Sequence, residues 1–403
     1  MLGETYFATR LGDIYEYSII PYKCGKCTSN ESVSYFWELC VDVSGNIIFI
    51  LSLEDLSQND FNIDIIDNIS GISSDGLWKI TSNNIHIKLT TSKYINSSHQ
   101  INHFCIPSRV ILNLTASQDL KFDLVRAYPS NFTFSTIDYE RGFIVSLNKK
   151  DIYFQRVSKH KEIIDFIDSG RIRNALLSTL EIPIDSHEVI ENIEEEIINI
   201  SWFISILSLN LNFVPVVEYF NQNKLVQISI ENTYKTNFNP TYIIDNCKIS
   251  RGIPKAFDNS YSKYKKINSQ MDLNTFIGFL VETRQQSYID LKLATMIMAY
   301  EYFLLKYLIL QGVALDKIGE NVQQKLGQAN KYLRFIPKEI TSDILRDSLR
   351  NPLFHQGEIP KLNLDEKIAE FEKYYDFLIK IFLKVLDYQG KYISVVTNYP
   401  ENA

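Results

Sequence analysis

The chain has 403 residues, of which 45% are hydrophobic and 22% charged, which is the composition of an ordinary globular protein large enough for two or three domains. Its formal net charge of -7 excludes a protein that coats nucleic acid with one large basic field, although it is compatible with a compact local site. Five cysteines, an odd number, indicate reduced thiols more than a disulfide framework.

The beginning of the chain carries no pattern of a secretion signal. Residues 1–5 lack a basic region followed by an apolar core, and no apolar run approaches the length of a membrane span. The best candidate for a span, residues 197–211, is interrupted by serines and asparagines. We therefore expect a cytoplasmic protein that has no membrane partner.

Residues 1–165 have the pattern of a β-rich domain. Short alternating segments are separated by clusters of Asn, Ser, Asp and Gly, and residues 85–89 alternate apolar and polar side chains as a half-buried strand does. Residues 143–147 and 152–154 flank a polar turn and predict a hairpin. A sandwich or a barrel would bury the apolar faces, and the pattern does not choose between them.

Residues 166–270 mix helical and strand periodicity and predict an α/β connector. Val189, Ile193 and Ile197 form the apolar stripe of a helix, and the glutamates at 191 and 194–196 predict a solvated opposite face. Residues 225–231 alternate like a half-buried strand. Residues 259–270 resemble a linker, and the segment YSKYKK at 261–266 is typical of a solvated linker or, alternatively, of a surface that stacks on single-stranded RNA.

Residues 271–403 carry apolar side chains at helical spacing to the end of the chain. The predicted helices cover residues 275–284, 288–310, 317–333, 340–349 and 365–387. Short connections between long helices favour an up-and-down, all-α bundle. The predicted fold class is therefore α+β and multidomain, with a β-rich N-terminal domain, an α/β connector and a C-terminal helical bundle.

Arg350 and His355 stand out within the predicted bundle. Asn351 is a preferred N-cap residue and Pro352 suits the first helical position, which predicts a helix that starts between the two. A guanidinium and an imidazole at a helix N-terminus form a site for a phosphate. Imidazole can act as acid or base near neutral pH, and a guanidinium can bind phosphate in a fork, so the pattern favours RNA cleavage.

The bundle resembles HEPN-domain ribonucleases. The resemblance rests on the helix AYEYFLLKYL at residues 299–308 and on LRNPLFHQG at residues 349–357. The β-rich N-terminal part resembles the ApeA-type branch of that family, which acts in abortive-infection defence against phage. The resemblance implies a metal-independent endoribonuclease that works as a homodimer, with Arg350, Asn351 and His355 as the catalytic set.

Two further residues are candidates for supporting roles. Arg346 lies one turn before Arg350 and would widen the phosphate-binding surface, or it is a solvent-exposed residue balanced by Asp343 or Asp347. Glu301 lies in an otherwise apolar helix, where it would orient Arg350 or Arg346, or it lies on the polar face near Lys306. Because an uncontrolled ribonuclease harms its host, we expect the first 270 residues to restrain it until a phage-derived or host trigger arrives.

A structural zinc site is the remaining candidate in the N-terminal region. Cys24 and Cys27 have the spacing of a zinc knuckle, and His103 and Cys105 would complete a tetrahedral set, with Cys40 and His99 as other candidates. A second CxxC is missing, so free thiols in a β-hairpin are the alternative. No P-loop, HExxH or GxSxG pattern supports nucleotide hydrolysis, zinc proteolysis or esterase chemistry.

Three rival functions remain open. The bundle could be a non-catalytic HEPN-like module for dimerisation or RNA binding, in which Arg350 and His355 have no catalytic role. The chain could be the toxin of a toxin–antitoxin pair, although its long N-terminal extension disfavours this. It could also be a zinc-binding or ligand-binding interaction protein whose activity lies in the β-rich domain.

Overall fold

The computed structural model divides the chain into a β-rich N-terminal region and a helical C-terminal region, so the α+β layout is confirmed. The residues that the structure describes are 18–53, 64–95, 98–116, 121–134, 142–147, 149–185, 188–233, 236–238, 241–244, 251–337, 340 and 344–402.

The strands form where apolar and polar side chains alternate, as period-two patterning requires. They are β1 (Ile20–Ser29), β2 (Ser34–Val41), β3 (Ile47–Leu53), β4 (Ile65–Ser73), β5 (Trp78–Ile95), β6 (Ser98–Leu114), β7 (Leu124–Tyr128), β8 (Phe143–Leu147), β9 (Lys150–Arg156), β10 (Ser178–Pro183), β11 (Val216–Asn221), β12 (Lys224–Glu231), β13 (Lys391–Ile393) and β14 (Pro400–Asn402). The predicted hairpin is confirmed as β8–β9, in which Phe143 pairs with Phe154.

Among the described residues, twelve strands join in one antiparallel sheet, in the order β3-β2-β1-β4-β5-β6-β12-β11-β7-β10-β9-β8. A further pairing of β3 with β6, in which Leu51 faces His103, closes the first six strands into a barrel. Trp37, Leu39 and Phe49 are fully buried on these strands. Of the two predicted alternatives, the N-terminal region is therefore a barrel that continues into an open sheet.

The strands of residues 166–270 are hydrogen-bonded into the same sheet as those of residues 1–165. Ile230 of β12 pairs with Val110 of β6, and Val217 of β11 pairs with Ala127 of β7. The predicted connector therefore extends the N-terminal sheet and has no sheet of its own among the described residues.

The α-helices are α1 (His160–Asp168), α2 (Ile190–Ser208), α3 (Gly252–Ala256), α4 (Ser262–Met271), α5 (Leu273–Gln285), α6 (Ile289–Leu310), α7 (Val322–Leu333), α8 (Asn351–Gln356) and α9 (Leu364–Val385). In the part of the chain that the structure describes, the π-helical segments Phe257–Tyr261 and Ile344–Arg350 continue directly into α4 and α8, and a 3-10 turn covers Leu315–Lys317. The predicted helices at 275–284, 288–310 and 365–387 agree with α5, α6 and α9 within a few residues.

Aromatic side chains hold the helices together at the centre of the C-terminal region. Phe276, Phe303 and Phe382 join α5, α6 and α9 through ring centroids 4.6 to 5.9 Å apart. The buried hydroxyl of Tyr300 donates to the backbone oxygen of Tyr374 at 2.6 Å. This hydrogen bond and the ring contacts fix how α6 and α9 face each other, because a buried hydroxyl must find a partner.

The sequence predicted an all-α C-terminal region, but the structure also contains strands there. β13 and β14 pair after α9, and Tyr392 of β13 donates to the buried carboxylate of Asp376 at 3.0 Å. This hydrogen bond attaches the small hairpin to α9.

The prediction that residues 259–270 form a linker is wrong, because this segment is helical and packs into the core. Tyr261 and Tyr264 are buried against Phe203 of α2, so neither ring is available to stack on RNA. Alternation of aromatic and basic residues is as compatible with a helix that buries one face as with a solvated segment. In the YSKYKK segment, Ser262 and Lys266 are exposed, whereas Lys263 and Lys265 are half-buried.

The acidic face of α2 joins two parts of the molecule and is only partly solvated. Glu194 accepts hydrogen bonds from Arg109 of β6 and from Tyr219 of β11, each at 2.7 Å. Glu196 accepts one from Tyr261 at 3.0 Å and contacts Lys265. α2 therefore connects the sheet to the helical region through paired carboxylates.

The helix α6 is long and apolar enough to cross a membrane by length and composition, because it has 22 residues and contains an 18-residue stretch with a mean hydropathy of 1.5. The expectation that no such run exists is therefore wrong. Half of that stretch is buried inside the protein. Its buried residues include Leu293, Met296 and Ile297, as expected for the core helix of a soluble bundle.

Candidate functional site

The inner face of the Arg350 segment is apolar and fixes its position in the bundle. Leu345, Leu349 and Leu353 recur at intervals of four residues and are buried. This anchoring leaves Arg346 and Arg350 partly exposed and His355 exposed on the outer side. Leucine spacing thus places the predicted site residues at the surface of the bundle.

Asn351 does not cap the helix that contains His355. α8 begins at Asn351, as predicted, but it continues a π-helical segment, so Arg350 occupies the cap position with helical angles of -61° and -54°. A proline at 352 has no N–H to donate and suits a point where the hydrogen-bond pattern changes from π to α. The prediction of a phosphate site at an open helix N-terminus is therefore wrong.

The side chain of Asn351 contacts the preceding turn. Its Nδ2 donates to Oδ1 of Asp347 at 3.4 Å, in place of the capping contact that we expected. Asp347 also accepts two hydrogen bonds from Arg346, at 2.7 and 2.8 Å. The hydrogen bonds from Arg346 lower the pKa of the Asp347 carboxyl.

Glu301 lies against Arg350, as one of its two predicted alternatives requires. The Nε of Arg350 donates to Oε1 of Glu301 at 2.7 Å, and each side chain is a little under one-third exposed. The pair links α6 to the end of the π segment. A charge-assisted hydrogen bond of this length holds the guanidinium in one orientation while its remaining N–H groups can bind an anion.

Arg346 is not paired with Glu301. Its Nε and one terminal nitrogen contact the neighbouring Asp347, which was one of the partners that the sequence suggested. The other prediction for Arg346, a wider phosphate-binding surface, stays a prediction.

His355 lies in the last turn of α8, and its side chain is exposed. The residue before it, Phe354, is 48% exposed, and the guanidinium carbon of Arg350 lies 5.5 Å from the centre of its ring. Sequence reasoning missed Phe354. The signal that could have found it is its spacing of four residues from Arg350, which places the two side chains next to each other on a helix.

The candidate zinc ligands do not converge in the structure. Cys24 and Cys27 lie on β1, which pairs with β2 in unbroken register from Lys23 to Thr28. Residues three apart on a strand point to opposite faces, so the CxxC spacing does not form a knuckle here. Accordingly, Cys27 is buried in the core, whereas Cys24 lies 3.6 Å from the hydroxyl of Ser74.

His103 and Cys105 lie inside the barrel on β6. The Nδ1 of His103 is 2.9 Å from the hydroxyl of Thr90, and burial lowers the pKa of this imidazole. Burial raises the pKa of the Cys105 thiol to about 12. Among the residues that the structure describes, no group of three or more His, Cys, Asp or Glu side chains could hold a metal ion.

Comparison of the chain with models of protein families, with curated proteins and with solved structures finds no match.

Proposed function

We propose that this chain is a metal-independent endoribonuclease of the HEPN type, with Arg350 as the phosphate-binding residue and His355 as acid and base. The observation that carries the proposal is the 2.7 Å hydrogen bond between Glu301 and Arg350 beside an exposed histidine. A surface arginine that is oriented by a carboxylate from another helix is what a phosphate-binding role needs. Asn351 is part of the proposed set through its contact with Asp347.

The proposed reaction is an internal transfer at the RNA phosphate. A base removes the proton of the ribose 2'-hydroxyl, the 2'-oxygen attacks phosphorus, and the bond to the 5'-oxygen breaks as an acid protonates that oxygen. The products are a 2',3'-cyclic phosphate and a 5'-hydroxyl end. Arg350 would stabilise the negative charge that develops on the phosphate oxygens.

A homodimer would supply the second imidazole that this reaction can use. Leu291, Met298 and Ile309 are exposed on α6. Because they are two and three helical turns apart, they lie on one face, next to Glu301. An exposed apolar stripe on a bundle helix is characteristic of an interface, and a second copy seated there would bring two sites close together.

The proposed biological role is abortive-infection defence in the cytoplasm, controlled by the β-rich region and released by a phage-derived or host trigger. The support for control is that α2 contacts both parts: Glu194 contacts β6 and β11, and Glu196 contacts Lys265 of α4. A rearrangement of the sheet would move these carboxylates and, through α4, the bundle.

The experiment that tests the proposal is RNA cleavage in excess EDTA by the full chain and by the His355→Ala and Arg350→Ala variants. Loss of cleavage in both variants, with 2',3'-cyclic phosphate ends from the unaltered chain, supports the ribonuclease. The matched controls are His86→Ala and Arg171→Ala, which change exposed residues of the β-rich region.

Two results would contradict the proposal. Cleavage that survives in both variants would assign the activity elsewhere. RNA binding without cleavage, in the presence of infected-cell extract as a source of trigger, would favour the non-catalytic module. A toxin held by an antitoxin would instead be recognised by toxicity of the full chain that a neighbouring gene neutralises.

A further inference from the structure

Phe354 is an aromatic side chain that core packing does not account for. Its neighbour Leu353 is buried, as are Leu349 and Leu345 one and two turns earlier, whereas Phe354 is 48% exposed. The centre of its ring lies 5.5 Å from the guanidinium carbon of Arg350, and the next residue in the chain is His355. The most apolar exposed surface of α8 therefore lies between the two proposed site residues.

The contact with Arg350 limits what can bind to this ring. A guanidinium attracts the ring's negative face and, at the same time, an anionic phosphate. In a nucleotide, one sugar separates the base from the phosphate. When Arg350 binds the phosphate, the base therefore lies close enough to stack on the Phe354 ring. Stacking of a base on an aromatic side chain is the common way in which proteins hold an unpaired nucleotide.

We infer that Phe354 is the platform on which a nucleobase next to the scissile phosphate stacks, so that the site selects single-stranded RNA. The inference rests on the proposed function and adds its substrate class. Bases in a duplex are stacked on each other and cannot lie flat on a protein side chain, so a paired strand loses this contact. The strength of stacking depends only weakly on which base is stacked, so the site accepts different RNA sequences.

The test measures binding of two probes to the full chain that carries His355→Ala, a change that removes the proposed acid and base. One probe is a short single-stranded oligoadenylate, and the other has the same ribose-phosphate backbone without bases. Adding Phe354→Ala should weaken oligoadenylate binding about 10-fold and leave binding of the base-free strand unchanged. Phe354→Trp should restore the binding, and Tyr399→Ala, at another exposed aromatic residue, should have no effect.

The outcomes separate this inference from the proposed function. Equal losses for both probes, no loss for either, or no binding of oligoadenylate by the parent chain would each overturn the platform. If the unaltered chain cleaves RNA while Phe354→Ala leaves oligoadenylate binding intact, the ribonuclease stands without it. Base-dependent binding in a chain that never cleaves would retain the platform and remove the nuclease.

Discussion

Glu301 and Arg350 are 49 residues apart in the sequence, yet their side chains meet at 2.7 Å on the surface of the bundle. We expect Glu301→Gln to lower RNA cleavage about fivefold, because a partly exposed ion pair of this kind is worth ~1 kcal/mol. The measurement is the initial cleavage rate under subsaturating RNA. Glu320→Gln, at an exposed carboxylate, is the control, and an unchanged rate in Glu301→Gln would remove Glu301 from the site.

The exposed face of α6 gives a prediction about assembly. Met298→Asp should convert a homodimer to monomers, because burying an unpaired carboxylate in an interface costs about 3 kcal/mol. Cleavage should fall at least 10-fold as a result. Sedimentation velocity and cleavage are measured on the same preparation. Leu315→Asp, at a more exposed leucine outside this face, should leave both unchanged. A monomeric unaltered chain that cleaves RNA would contradict the prediction.

The contact between α2 and the π-helical segment Phe257–Tyr261 predicts a stability change. Tyr261→Phe should lower the free energy of unfolding by about 1 kcal/mol, because it removes the 3.0 Å hydrogen bond to Glu196 and keeps the ring. Tyr261→Ala should cost about 3 to 5 kcal/mol through the cavity that it leaves. Urea denaturation measures both, with Tyr399→Phe as the exposed control. Equal losses of unfolding free energy in Tyr261→Phe and Tyr261→Ala would show that packing of the ring does not contribute to stability.

His160 predicts how stability depends on pH. Burial, with the nearby charge of Arg156, lowers its pKa to about 4, and its Nε2 is 2.9 Å from the hydroxyl of Thr133. In the unfolded chain its pKa returns to about 6.5, so between these values the unfolded state binds more protons. The contribution of this residue is therefore fully present above about pH 6.5 and is lost as the pH falls toward about 4.

Thermal unfolding at about pH 7 and about pH 5 tests this sign. The melting temperature should fall on acidification in the unaltered chain and fall less in His160→Gln. His86→Gln, at an exposed histidine, should behave like the unaltered chain. A larger fall in His160→Gln than in the unaltered chain would reverse the assignment.

Strand geometry predicts that the four candidate ligands do not bind zinc. Removal of metal by a strong chelator should leave the melting temperature unchanged, and Cys24→Ser should be tolerated, because Cys24 is partly exposed and points away from Cys27. Metal content by elemental analysis and the melting curve are measured together. About one zinc per chain that disappears in Cys24→Ser would mean that β1 rearranges to form the site.

Local periodicity determined most of the elements. The 3.6-residue spacing of apolar side chains predicted α5, α6 and α9, and alternation predicted the β8–β9 hairpin, because each pattern depends only on neighbours in the chain. The same local spacing brought Arg350 and His355 onto one helical segment. Residues whose structure depends on near neighbours were therefore predictable from the sequence alone.

Contacts between distant segments were decided by the tertiary structure. Closure of the barrel by β3 and β6, burial of Tyr261 and Tyr264 against α2, and the choice of Arg350 over Lys306 as the partner of Glu301 depend on which faces meet. The same holds for Cys24 and Cys27, whose spacing suits a turn but whose strand pairs with β2. A sequence pattern indicates which side chains share a face of a helix or strand. The free energy of packing that face depends on a partner segment that is distant in the sequence.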